Sequence, residues 1–253
     1  MNLIDQLPII KRARGFYLYD FNNERILDLF LDNGRAIAGH RPNGLSLAIK
    51  NSISRGLYAG YPSIYSARII KLLKMEFPKF QQYCIYKDVS RFLEKFPFYT
   101  KISDPAVDTD QGECSYWRPY LPVGDKCETL LIKFAFPGNE VIAVLSNSGN
   151  ILPQSDLIPP YILSGLIRSY YDLKKRIDDS RQEDWSLLDN TKHWKRNGPY
   201  LVPLCREKEY GELFKMYLDC NILISPHHNI PTICAVGLSE GDLKSLYRRI
   251  KEK

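Results

Sequence analysis

Near the start of the chain, Arg35, His40 and Arg41 set a titratable imidazole beside two guanidinium groups. Arginine forks suit bidentate capture of a carboxylate or phosphate, so the chemistry these residues suggest is a pocket for a small anionic ligand. The plainer reading is that His40 fills a hydrogen-bond slot and orders its loop, since a lone histidine does this more often than it catalyses. Both readings stay open at the sequence level. His227 and His228 are adjacent, so in an extended segment they point to opposite faces, and a solvated loop pair is favoured over a metal site. Asp178-Asp179 and Glu183-Asp184 lie in the most polar stretch, where a solvated face is the default for paired carboxylates. The six cysteines form no C-x-x-C pair, which removes zinc-ribbon and thioredoxin readings and predicts reduced, mostly buried thiols. There is no G-x-S-x-G elbow, Walker-type phosphate loop, G-x-G-x-x-G or H-E-x-x-H, and no metal is predicted.

The elements that must position these residues follow from local pattern. Phe16 to Asp20 and Arg25 to Phe30 are aromatic and branched runs around Phe21-Asn22-Asn23-Glu24, which predicts a β-hairpin, and Asn33-Gly34 predicts a turn. The loop Gly39-His40-Arg41-Pro42-Asn43-Gly44 then delivers the chain into a helix marked by Leu45, Ala48, Ile49, Ser52 and Ile53. A second helix covers about Ile64 to Met75 and stops before Pro78. Strands are predicted at Tyr83 to Tyr86, Glu128 to Phe136 and Glu140 to Ser146, the last two joined at Pro137-Gly138-Asn139. Lys101 to Gly124 reads as turn-rich and mobile. Pro159-Pro160 opens a helix with Leu163, Leu166, Ile167 and Tyr170 on one face, and Asp178 to Lys195 reads as an exposed helical connector. A strand at Tyr200 to Leu204, a helix striped by Tyr210, Leu213, Phe214, Tyr217 and Leu218, and a final helix from Ser239 with Leu243, Leu246, Tyr247 and Ile250 complete the chain.

Composition narrows the class. With 253 residues, 44% apolar and 25% charged positions, the chain can bury one large core or two modest ones without staples. The longest purely apolar run, Val141 to Leu145, is far below the roughly 18 residues of a membrane-spanning helix. The first residues, with Asp5 ahead of any basic side chain and Pro8 interrupting the apolar stretch, do not read as a signal peptide. The net charge of +6 is spread along the chain, with clusters at Lys174 to Arg176 and Arg248 to Lys251 that suit helix ends. The expectation is a cytoplasmic protein with neither nucleic acid nor membrane as partner.

The order of segments at the two ends carries a resemblance. Gly15-Phe16-Tyr17-Leu18-Tyr19-Asp20, then Asn22 to Leu29, then Gly39-His40-x-Pro42 and a helix with Ala48-Ile49, resembles the opening of class III aminotransferases. Gly198-Pro199-Tyr200-Leu201, the helix from Tyr210, Asn221-Ile222-Leu223-Ile224-Ser225-Pro226 and Leu238-Ser239-Glu240-Gly241-Asp242 resemble that family's closing segment. These are fold-type I pyridoxal phosphate enzymes, and the glutamate-1-semialdehyde aminotransferases are the nearest subgroup. The resemblance implies an α+β or α/β protein in which a small-domain-like sheet is built from both chain ends with flanking helices, around a much reduced central region. The implied segments are 1–80, with the strand hairpin and interface helices, 81–158, a reduced β-rich insert, and 159–253, the C-terminal part of the small domain.

It also implies what an active member needs: a glycine-bearing turn for the cofactor phosphate, an acid for the pyridine nitrogen and a Schiff-base lysine. Here the turn position reads Tyr86-Lys87-Asp88-Val89-Ser90-Arg91 without a glycine, and the candidate lysines Lys126 and Lys133 have no acid suitably placed before them in sequence. The resulting expectation is a truncated, non-catalytic homodimer acting in binding or assembly, with no cofactor. The alternative is an active pyridoxal phosphate-dependent aminotransferase or mutase with a site rebuilt from Lys87, Lys126 or Lys133. Any small ligand is expected in a cleft between the Gly39 to Gly44 loop and the C-terminal sheet, where Arg35, His40 and Arg41 meet an anion.

Overall fold

The computed structural model describes residues 2–97, 99, 101–108, 112–179, 192–234, 241 and 248–250. In chain order the strands are β1 (Ile10–Arg14), β2 (Tyr17–Asp20), β3 (Arg25–Asp28), β4 (Gln82–Tyr86), β5 (Cys114–Trp117), β6 (Thr129–Lys133), β7 (Ile142–Ser146), β8 (Trp194–Asn197), β9 (Tyr200–Pro203), β10 (Ile222–Leu223) and β11 (Thr232–Ile233). The α-helices are α1 (Leu45–Ile53), α2 (Ile64–Glu76), α3 (Val89–Lys95), α4 (Pro160–Asp179) and α5 (Tyr210–Asp219). They divide into two compact units, Met1–Arg41 with Lys175–Lys253, and Pro42–Lys174.

The first unit takes both chain ends. Its four-stranded sheet runs β1-β2-β3-β10, with β1, β2 and β3 antiparallel and β10 parallel to β3. The predicted hairpin is the β2-β3 pair, with Leu18 opposite Ile26 and Asn23 at φ 61 in its turn. Asn tolerates that left-handed conformation better than most residues. A sheet built from both ends of the chain is therefore present, as the resemblance implied. The unit also holds a second sheet, β11-β9-β8, and α5, which buries Tyr210, Phe214 and Tyr217 along one face.

The second unit holds the sheet β4-β7-β6-β5. Here β7 is antiparallel to both β4 and β6, and β5 is parallel to β6, so β4, β5 and β6 share one direction. One face, with Ile85, Leu130, Ile132, Ala143 and Leu145, packs on α2 and α4; the other, with Tyr86, Leu131, Ile142 and Val144, packs on Phe92 and Phe96 around α3. The apolar run that was too short for a membrane is thus a strand covered on both faces, for which continuous Ile and Val are expected.

Several boundaries differ from expectation. Lys101 to Gly124 contains β5, whose short Cys-Ser-Tyr-Trp run has little pattern of its own and is fixed by pairing with β6. The strand predicted to reach from Glu128 to Phe136 is limited to Thr129–Lys133. The connector predicted from Asp178 to Lys195 ends α4 at Asp179 and enters β8 at Trp194, and 180–191 lie outside the described residues. β1 and α3 carried no prediction. The start and apolar stripe of the final helix, from Ser239 to Tyr247, fall almost wholly outside the described residues.

Candidate functional site

Two places hold the residues singled out by sequence. In the first unit, Asp28 ends β3 with its side chain only 4% exposed. One carboxylate oxygen accepts the N–H groups of Phe30 at 2.8 Å and Leu31 at 2.9 Å; the other accepts from His40 Nε2 at 2.8 Å. That clamp sits at the mouth of a left-handed turn in which Leu31, Asp32 and Asn33 have φ near 50, 50 and 53. Such residues are strained by roughly 1 to 3 kcal/mol each, so something must hold them, and a buried carboxylate taking two successive N–H groups does. The Gly-His loop is drawn in from the other side, His40 N–H donating to the Gly15 carbonyl at 2.8 Å. Gly39 is required there: its φ is +91, and a Cβ would stand 3.2 Å from that same oxygen.

His40 therefore fills a hydrogen-bond slot. Arg35 is buried and Arg41 is exposed. His228 is half-buried, with Nε2 2.9 Å from the Cys205 carbonyl and its ring edge-on to Tyr210, while His227 meets Phe30. Among the described residues no group of three His, Cys, Asp or Glu is placed to hold a metal ion. Burial pushes the Cys114 thiol up to about 12 and raises that of Cys127 as well, so neither is a nucleophile at neutral pH.

The second place is the carboxyl edge of the β4-β7-β6-β5 sheet, where ligands of open α/β sheets bind. Tyr86 and Lys133 both pair with Ile142, and Trp117 pairs with Ile132, so the ends of β4, β5 and β6 are aligned. Two strand spacings put the Tyr86 and Lys133 backbones about 10 Å apart. Lys133 is half-buried and holds its ammonium 4.1 Å from the Tyr116 ring centroid. Just beyond β5, Arg118 is 5% exposed and forks Asp104, with Nε to Oδ1 at 2.9 Å and a second terminal bond to Oδ2. Burial raises the Asp104 carboxyl, but the Arg118 fork, the Ala106 N–H and the charge of Lys133 together hold it below the usual carboxylate range. The sequence offered no acid for Lys133; the fold brings Asp104 to it and commits that acid to Arg118. Lys126 is exposed.

At the other end of this edge is the turn between β4 and α3, the position at which the resemblance calls for a phosphate. Two of its N–H donors are taken by the chain itself. Asp88 caps α3 by accepting the Arg91 N–H at 2.7 Å, and Asp156 accepts the Lys87 N–H at 3.1 Å while pairing with Lys95 Nζ at 3.0 Å. Burial raises the Asp156 carboxyl, and the Lys87 N–H, Lys95 and Arg91 outweigh it and keep the group ionised. Asp156 is delivered by a strap along the free edge of β4, where Gln82 bonds Asn150 and Leu152, Tyr86 bonds Pro153, and Ile85 bonds Ser155 and Asp156. Two carboxylates and no glycine do not fit a phosphate group, which needs free N–H donors and a close backbone approach. Asp88 is of a residue type favoured at helix N-caps, a signal not used because no helix was predicted after it; Asp104, Arg118 and Asp156 carried no local signal.

Comparison with solved structures places this fold. An ornithine delta-aminotransferase of Plasmodium falciparum matches with a TM-score of 0.74 at 10% identity, over 97% of this chain and 92% of that one. An ornithine aminotransferase of Toxoplasma gondii, described with partial occupancy of PLP at its active site, matches with a TM-score of 0.73 at 10% identity, over 98% and 90%. The fold is that of the fold-type I pyridoxal phosphate aminotransferases. By sequence, the chain belongs to the same family as an uncharacterized protein of Borreliella burgdorferi, 30% identical over 99% of this chain and 94% of that protein. An uncharacterized protein of Treponema pallidum is 27% identical over 91% and 90%. A glutamate-1-semialdehyde 2,1-aminomutase of Heliobacterium modesticaldum is 38% identical over 69 residues, 27% of this chain and 16% of the enzyme. No protein-family model matches the chain.

Proposed function

We propose that this aminotransferase-fold chain does not run pyridoxal phosphate chemistry and acts instead by binding or assembly, as a cytoplasmic homodimer whose cofactor domain is contracted. The observation that carries this reading is the turn between β4 and α3, where no glycine is present and Asp88 and Asp156 accept two of the N–H groups that a phosphate there would use. The commitment of Asp104 to Arg118 supports it, because a ring nitrogen needs an acid that can turn towards it. The anion-binding role suggested for Arg35, His40 and Arg41 falls to exposed Arg41, since His40 is tied to Asp28. Arg41→Ala that leaves anion binding unchanged would remove that role.

A second reading, an active aminotransferase or mutase, is favoured by one feature: Lys133 stands at the carboxyl edge within the electrostatic reach of Asp104. The two readings separate on incubation of the purified chain with pyridoxal phosphate, followed by borohydride and mass spectrometry. The non-catalytic reading expects no visible-range absorbance band and no fixed lysine adduct. An adduct on Lys133 that disappears in Lys133→Ala would overturn it. Light scattering at high protein concentration tests the dimer, and a monomer contradicts it.

A further inference from the structure

The first hairpins present chemistry that neither the fold nor the carboxyl edge uses. Arg12 pairs with Tyr19 and Tyr19 with Arg25, so three strands supply one cross-strand row, and in the next row Arg14 faces Tyr17. The Arg12 guanidinium lies 4.2 Å from the Tyr19 ring centroid and that of Arg25 lies 4.1 Å from the Tyr17 centroid. Stacking of this kind fixes the planar forks while Lys11, Arg12, Arg14 and Arg25 all stay exposed. Asp20 is buried and accepts the Glu24 N–H at 2.8 Å, which leaves Glu24 as the exposed acid of the turn.

A second observation comes from the same end of the sheet. Ile10 pairs with Asp20, and Ile9 and Phe21, the next residues along the chain beyond that pair, are 75% and 65% exposed. Basic side chains on an edge strand are explained by protection against edge pairing, but an exposed aromatic and aliphatic pair beside them is not. A soluble polyanion would use the charges and gain nothing from Ile9 and Phe21. A lipid interface uses both, burying the apolar pair at the headgroup boundary while cations meet the phosphates.

We propose that this corner is a docking surface for an anionic lipid bilayer, with Ile9 and Phe21 entering the interface and Lys11, Arg12, Arg14 and Arg25 holding headgroups. No helix among the described residues is long and apolar enough to cross a membrane, and lying on one requires none. The sequence-level expectation of no membrane partner rested on the lack of a spanning run, which leaves surface docking open. The inference does not depend on whether the carboxyl edge is catalytic.

The test is co-sedimentation of the full chain with phosphatidylcholine vesicles with and without phosphatidylserine. Binding is expected to the phosphatidylserine vesicles only, weakening as salt shortens the screening length. Removing Arg12 or Arg14 as alanine lowers partitioning about 5-fold each at low salt, from about 1 kcal/mol per basic residue near an anionic surface. The double variant Ile9→Ser with Phe21→Ser keeps the charge and a folded circular-dichroism spectrum, yet also lowers partitioning. No binding at low salt, equal binding to both vesicles, or capture by soluble heparin with no effect of the Ser variant would each overturn the proposal.

Discussion

Replacing Arg118 by methionine removes the fork that holds Asp104 at the carboxyl edge. The variant leaves Asp104 with the Ala106 N–H as its remaining short-range donor, at 3.0 Å, in a site where the carboxylate side chain is 18% exposed. Breaking a buried pair from one side costs about 3 to 5 kcal/mol, and the partial exposure places this case near about 3. For a chain of this size that corresponds to a fall of about 6 to 12 °C in Tm. Urea titration followed by tryptophan fluorescence measures it, with Asp104→Leu/Arg118→Met as the second arm. That double variant recovers most of the loss, because the cost lies in the orphaned charge rather than in the missing pair.

Acidity supplies an independent check. In the wild type the Asp104 carboxyl is held below its ordinary value, so the stability it contributes is fully present above about pH 4 and is lost as pH falls through the lowered folded value. The single variant has lost that stabilisation, so its deficit shrinks on acidification through the carboxylate range. A deficit under about 0.5 kcal/mol at neutral pH, within the usual range of surface changes, or one that stays constant with acid, would refute the reasoning.

Three further outcomes are expected. Gly165→Ala in α4 sets a Cβ 2.7 Å from Phe136 and 3.2 Å from Leu45, and the overpacking, about 1 to 3 kcal/mol, outweighs the roughly 1 kcal/mol gained in helix propensity, as thermal melting will show. Asp156→Ala takes the acceptor from the Lys87 N–H and the ion pair from Lys95, which keeps the Gln154 carbonyl at 3.2 Å, and costs about 1 kcal/mol at neutral pH by urea titration, a difference that closes in acid as the wild-type carboxyl protonates. His193, whose Nδ1 lies 3.1 Å from the Tyr217 hydroxyl, is held below the ordinary imidazole value by burial. Its contribution is present above about pH 6.5 and is lost as pH falls through the folded value, so His193→Phe flattens the pH profile of Tm in that range.

The sequence by itself determined the elements whose information is local. Phe16 to Phe30 folds as the hairpin its Asn turn announces; Pro159-Pro160 starts α4, and Pro78 lies just past the end of α2. The stripe of α5 buries Tyr210, Phe214 and Tyr217 because those positions share a helical face. Even the end-to-end order of segments carried the fold, since β10 from the C-terminal part completes the sheet begun by β1. Tertiary structure alone decided β5, which has four residues, and every pairing at the carboxyl edge.

Asp104 finds Arg118 across 14 residues, and Asp156 reaches the Lys87 N–H across 69. Periodicity and turn chemistry act over a few residues, whereas which carboxylate meets which N–H is set by strand register and by the strap along β4. For the same reason a scattered excess of basic residues looked unremarkable along the chain until antiparallel pairing set Arg12, Tyr19 and Arg25 in one row.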